Sequence, residues 1–284
     1  MDDPQGEVTP PTAPSRLRPA SDPPPLASRH VLPATPGFHE LPARELEFLR
    51  FGLARVQAGQ AIQLDTEDRE ALVVVLEAPT DVRVAAARRE LRLPPRRSVF
   101  SDGPAAVYAP AGAGLELHGP LLAGVFQARA PDSGGEPYAI LPHEVGTVRR
   151  GRGNFTRQVR DILPVERPAT RLLAGETINP PGNWSSSPPH KHDRHAPPRE
   201  ARLEEIYLFR VHPAQGFGLQ HSYHAGGPSR TFAVGDLDAV AIPAGYHPVV
   251  AAPGYDLYYL WCLAGEGREL RWAPDPAHAW VDGT

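Results

Sequence analysis

The run Ala239-Val240-Ala241-Ile242-Pro243-Ala244-Gly245-Tyr246-His247 reads as a strand that ends in a tight turn and delivers a histidine where the next strand starts. Its first seven residues line up with Ala106-Val107-Tyr108-Ala109-Pro110-Ala111-Gly112, an offset of 133 from position 106 to position 239. Applied without a gap, that offset sets Leu72-Val73-Val74-Val75-Leu76 beneath Glu205-Ile206-Tyr207-Leu208-Phe209. Two windows sharing one offset point to two copies of one β domain, joined through the loop near Gly151 to Pro168.

The rest of the chain has the same habit. Phe51 to Val56, Ala71 to Leu76, Ala105 to Ala109 and Leu121 to Gln127 have strand length and composition. Ile206 to Val211, Phe217 to Gln220, Ala239 to Ile242 and Leu257 to Leu263 follow in the second half. Pro94-Pro95, Asp102-Gly103-Pro104, Gly226-Gly227-Pro228 and Pro253-Gly254 supply turns. Only Leu41 to Phe51 looks helical. Thirty-five prolines and 26 glycines oppose a helix-rich fold, while 41% hydrophobic residues suffice for a core. The expectation is all-β: a disordered Pro-rich extension over 1–36, then domains over 37–150 and 151–284.

Twenty-nine basic against 33 acidic residues leave a net charge of −4, with no basic footprint for nucleic acid. The single cysteine, Cys262, cannot form an internal disulfide, which fits a reducing cytoplasm. No apolar run approaches the roughly 20 residues that cross a bilayer. Two early acids and many prolines stand where a signal peptide would carry a basic and then an apolar stretch. A cytoplasmic protein without membrane or nucleic-acid partners is expected.

Candidate chemistry lies in the second copy. In His190-Lys191-His192 the imidazoles stand at i and i+2, so on a strand both rings face one way. Glu205 opens an apolar strand and brings an anionic oxygen; His247 follows the turn Pro243-Ala244-Gly245-Tyr246. Three imidazoles and a carboxylate suit one divalent transition metal per chain, Zn, Mn, Fe or Ni, with positions left for substrate oxygens. The competing reading is a solvated loop, since Pro188 to His195 is polar throughout. At the offset, Glu205 faces Leu72 and His247 faces Gly114, so the first copy lacks both groups. The pattern describes a duplicated scaffold with one working site.

His-x-His, then Glu, then Pro-x-Gly-x-His resembles the two metal motifs of the cupin superfamily, small jelly-roll barrels with the metal inside. Twelve residues separate His192 from Glu205, more than the superfamily's usual three or four, which leaves Glu204 as a rival. Longer strings are more specific. Gly175-Glu176-Thr177-Ile178-Asn179-Pro180-Pro181-Gly182-Asn183-Trp184-Ser185-Ser186 is similar to the segment leading into the site of the 5-deoxy-glucuronate isomerase family. The likeness continues through Pro188-Pro189-His190-Lys191-His192-Asp193, Leu203-Glu204-Glu205-Ile206-Tyr207, Gly151 to Arg157 and Gly245 to Tyr255. Trp261, where the family leads one to expect Asn, and His195, in a usually more acidic stretch, depart from it.

The resemblance implies a bicupin: two tandem jelly rolls, the first degenerate and the second metal-binding. It implies conversion of 5-deoxy-D-glucuronate to 5-dehydro-2-deoxy-D-gluconate in inositol breakdown, an aldose–ketose isomerisation through a metal-stabilised enediolate. Asp193, His221 and Tyr259 are the candidates for the proton-transferring group. Arg157, Lys191 and Arg210 are candidates to meet the sugar acid's carboxylate, with ordinary surface charge the competing role. An Fe(II) cupin dioxygenase and a non-catalytic sugar-binding cupin are the rival functions. A homo-oligomer is compatible with the way exposed jelly-roll sheets pair.

Overall fold

The computed structural model describes residues 24–283, which contain no α-helix; their helical segments are 3-10, the three-residue Pro142–Glu144 and Gly153–Phe155 and the longer Pro276–Gly283. The strands pair antiparallel in four main sheets. A six-stranded sheet runs Tyr138–Ile140, Ala106–Ala109, Arg69–Glu77, Leu121–Arg129, Leu49–Val56, Gly37–Glu40. A four-stranded sheet of Ala61–Leu64, Leu115–His118, Val82–Ala86 and Arg89–Leu93 covers its outer face. In the second half an eight-stranded sheet is built around Glu200–His212, Asp256–Gly265 and Leu173–Asn179. Its cover is the sheet of Trp184–Ser185, Val249–Ala251, Gly218–Tyr223 and Ser229–Val234.

Side-chain alternation explains the layering. In Arg69–Glu77, Ala71, Val73 and Val75 pack toward the small first-half sheet, while Leu72, Val74 and Leu76 pack toward the eight-stranded sheet. In Asp256–Gly265, Tyr258, Leu260 and Cys262 meet that same central layer, and Leu257 and Tyr259 point the other way. The two large sheets are therefore covered on both faces, which is why their strands read as continuous apolar runs. A Cβ on Gly124 would lie 3.0 Å from Leu260 Cδ2, so glycine there sets how closely these sheets approach.

Two carboxylates tie the halves together. Glu70 accepts the backbone N–H groups of Thr170 (2.7 Å), Arg171 (2.6 Å) and Leu172 (2.7 Å), just before Leu173–Asn179. Glu204 accepts those of Glu47 (2.7 Å), Phe48 (2.7 Å) and Leu49 (3.3 Å), where Leu49–Val56 starts. Each half thus anchors the entry to a strand of the other. The second contact also corrects the helix expected over Leu41 to Phe51: these N–H groups bond to a carboxylate rather than to carbonyls four residues back. Residues 41–48 form turns and the strand starts at Leu49.

The extension expected over 1–36 is also corrected in part. Ser28–Val31 is a strand paired with Asp238–Ile242, held by Arg29 Nε on Asp238 Oδ2 at 2.8 Å and flanked by buried Ala27 and Leu32. Its four residues carry no apolar period, so composition hides it. The first part of that extension, 1–23, lies outside the described residues. One register also needs correction. Ala71 pairs with Ala109 and Glu205 with Ile242. Since positions 109 and 242 keep the offset of 133, the counterpart of Glu205 is Ala71 rather than Leu72.

Candidate metal centre

His190-Lys191 pairs with Ala273–Pro274 as a short strand, and alternation sends the His190 and His192 rings into one cavity while Lys191 points away. Glu205 enters from Glu200–His212, where its neighbour Glu204 faces the opposite way and is spent on the first half. Of the two acids, Glu205 is the one that faces the cavity. His247 is delivered by the turn after Asp238–Ile242. There Gly245 has φ +87°, and a Cβ would stand 2.9 Å from the Tyr223 carbonyl oxygen, so glycine is required.

His192, Glu205 and His247 converge, with one ligand atom from each within 4.8 Å of the others. The His190 ring stands beside them, its centroid 5.2 Å from that of His247 and 6.3 Å from that of His192. His192 Nδ1 bonds the Leu203 carbonyl (3.0 Å) and His247 Nδ1 the Gly245 carbonyl (2.8 Å). With each Nδ1 committed to a carbonyl, each ring turns its Nε2 inward. Both Nε2 atoms lie 3.2 Å from Glu205 Oε2. His247 Nε2 is not aligned with that oxygen and is left buried with no hydrogen-bond partner. Two imidazole nitrogens and a carboxylate gathered under burial, one nitrogen without a partner, are the donor set of a divalent transition metal. The residues fit such an ion.

The charges agree. Burial alone would raise the Glu205 carboxyl, but the adjoining His192 and His247 imidazoles hold it down to about 2. Burial, aided by repulsion from His247 and His192, lowers His190 to about 3, so its ring stays neutral. In the same wall, burial pushes the Tyr207 hydroxyl well above its usual range and raises that of Tyr259.

The cavity holds about 290 Å³ and has two kinds of wall. Arg150, Arg157, Asp161, Thr177, Ser186, Tyr207 and Tyr259 are polar contributors; Val159, Trp261, Leu263, Leu270 and Trp272 are apolar. Of the candidates read from sequence, Arg157 and Tyr259 line it together with His190, His192 and Glu205. Asp193, Lys191, Arg210 and His221 do not line it. Lys191 donates to Asp193 and to Glu200 Oε1 (2.7 Å), and Asp193 Oδ2 accepts the Gly245 N–H (2.8 Å). Arg210 pairs with Asp236 (2.8 Å), and His221 bonds Thr231 Oγ1 (2.7 Å) and stacks on Tyr223. His195 is exposed, whereas Trp261 lines the cavity and donates to Thr177 Oγ1 (3.2 Å). Arg150 and Trp272 escaped the sequence reading. Register alone brings them in, Arg150 opposite Arg157, and Trp272 next to the segment paired with His190.

The chain matches the KduI/IolB family over residues 38–281. It is 39% identical to the 5-deoxy-glucuronate isomerase of Geobacillus kaustophilus (strain HTA426) over 238 residues, 83% of this chain and 86% of that protein. Against the 5-deoxy-glucuronate isomerase of Bacillus subtilis (strain 168) the identity is 33% over 241 residues, 84% and 89% of the two chains. The crystal structure of an IolB-like protein from Salmonella typhimurium LT2 superposes with a TM-score of 0.85 at 32% identity, covering 91% of this chain and 99% of that one. An oxalate decarboxylase from Lactobacillus farciminis gives a TM-score of 0.59 at 13% identity, covering 90% of each chain, a likeness of fold alone.

Proposed function

The chain belongs to the KduI/IolB family, and from that membership and the geometry of its site we infer that it acts as an aldose–ketose isomerase on 5-deoxy-D-glucuronate. The product is 5-dehydro-2-deoxy-D-gluconate, within inositol breakdown. The observation that carries the chemistry is the inward convergence of the His192 and His247 Nε2 atoms on the Glu205 carboxylate.

His192, Glu205 and His247 would hold a divalent metal, with His190 beside them as the fourth ligand. Such an ion, when bound, supplies a Lewis acid that stabilises negative charge on neighbouring substrate oxygens. The chain's own groups do the rest. Arg157 offers its guanidinium to the substrate carboxylate. The raised Tyr259 hydroxyl stays protonated at neutral pH; it donates to Ser185 Oγ at 2.9 Å and, turned from Ser185 into the cavity, is assigned to donate to a substrate oxygen instead. Trp261 and Trp272 keep one side of the reacting centre apolar and exclude water.

Tandem cupin domains over 37–150 and 151–284 belong to the same reading. They are supported by the shared offset and by Glu70 and Glu204, one residue before the counterparts Ala71 and Glu205, in like roles. A cytoplasmic setting accords with the lone, buried Cys262; no helix among the described residues is long and apolar enough to cross a membrane. The test is incubation of pure protein with 5-deoxy-glucuronate, with and without chelator, following ketose formation and oxygen uptake. Isomerisation lost on chelation and restored by a divalent ion is expected. Substrate-dependent oxygen consumption, or binding without turnover, would overturn the reading.

A further inference from the structure

One wall of the cavity is a strand pair whose register separates charge from apolar surface. Val148–Arg150 and Arg157–Leu163 run antiparallel, with Arg150 opposite Arg157 and Val148 opposite Val159. Arg150, Arg157, Val159 and, at the next position on that face, Asp161 all line the cavity. Directly opposed side chains have Cβ atoms about 5 Å apart, where like charges repel unless an anion lies between them. Each guanidinium keeps N–H groups beyond its present partners. Arg157 Nη1 donates to the carbonyls of Phe155 (3.0 Å) and Ser187 (3.5 Å), and the Arg150 Nη2 stands 3.9 Å from Asp161.

Val159 is the next residue on that face, about 7 Å further along the strand. It is buried, and the hydroxyl of its cross-strand neighbour Thr177 already accepts the Trp261 indole N–H. A ligand atom set directly against Val159 therefore meets methyl groups, with the Asp161 carboxylate two residues further along the same face.

Resting on the isomerase reading, we propose that Arg150 and Arg157 together grip the substrate's C6 carboxylate and that Val159 meets C5. This wall then selects a sugar acid with a methylene beside its carboxylate. A uronate with a hydroxyl on C5 places it against Val159, where its hydrogen bonds to water are lost. An apolar pocket rejects an added hydroxyl by up to about a hundredfold.

The experiment compares kcat/KM for 5-deoxy-glucuronate and glucuronate in the wild type, Val159→Thr, Val159→Ala and Arg150→Met. Glucuronate is read as turnover or, where turnover is undetectable, as competitive inhibition. Its ring closure through the C5 hydroxyl is common to all variants and cancels when their preference ratios are compared. Val159→Thr keeps the shape but supplies a hydroxyl, and should lower the preference for the deoxy acid about tenfold. Val159→Ala keeps the wall apolar and should leave that ratio within about twofold. Arg150→Met should raise KM for 5-deoxy-glucuronate about tenfold with kcat little changed. Should Val159→Thr fail to fold, Val159→Ser carries the same hydroxyl and the same expectation. An unmoved ratio in the hydroxyl-bearing variant, or an unmoved KM in Arg150→Met, overturns the proposal. Wild type inactive on 5-deoxy-glucuronate contradicts the isomerase reading itself; normal wild-type turnover with an unmoved ratio contradicts this inference alone.

Discussion

Ala71 and Glu205 hold matching places in two like strands, one paired with Ala109 and the other with Ile242, and both are buried. Around Ala71 the first half closes into a solid apolar core with Val73, Val75 and the small sheet opposite. Around Glu205 the second half opens a cavity, where His192 and His247 bring imidazole nitrogens to the carboxylate. One residue earlier in each strand the halves agree again: Glu70 and Glu204 each bind three consecutive backbone N–H groups of the other half. The scaffold is kept in both halves while the chemistry is kept in one. A buried acid survives wherever donors or a cation meet it.

That comparison can be broken at its centre. Glu205→Ala makes the second strand read like the first and should lower isomerisation at least about a thousandfold, through loss of the metal's contribution. The opposite change, Ala71→Glu, introduces a buried carboxylate with no imidazole nearby. It should cost about 3–5 kcal/mol of stability by urea unfolding while leaving the metal content unaltered.

The shared feature sharpens it. Glu70→Gln and Glu204→Gln should each destabilise by about 2 kcal/mol, because an amide replaces two charged acceptors and turns its NH2 toward backbone donors. Glu70→Gln should be the costlier, since Glu70 also accepts the Tyr108 hydroxyl at 2.6 Å. A gentler change touches the support of His247: Asp193 holds the Gly245 N–H, and the Gly245 carbonyl holds His247 Nδ1. Asp193→Asn should weaken metal affinity about tenfold, read by competition with a chromophoric chelator, with the unfolding midpoint nearly constant.

Much of this was legible in the chain. The two central sheets are covered on both faces, so Leu72 to Leu76 and Leu257 to Leu263 stand out as unbroken apolar runs. His190 and His192 could be set on one face because strand alternation has period two, and the same rule separates Glu204 from Glu205 once the strand is placed. What stayed hidden depends on contacts across the fold. Nothing near Leu41 to Phe51 tells that its N–H groups are claimed by a carboxylate 156 residues away from Phe48. Lys191 and Asp193 carry the right chemistry for a site, yet alternation and the buried Glu200 turn them toward each other. Arg150 has no signal of its own; only its register opposite Arg157 gives it a place in the cavity.

The claim beneath all of this is that His190, His192, Glu205 and His247 hold one divalent ion. Elemental analysis of the protein purified without added metal, beside a folded Glu205→Ala variant, tests it most directly. One transition-metal ion per chain in the wild type and almost none in the variant is the predicted result. Equal metal in both, or a metal-free wild type that isomerises 5-deoxy-glucuronate undiminished, would contradict it.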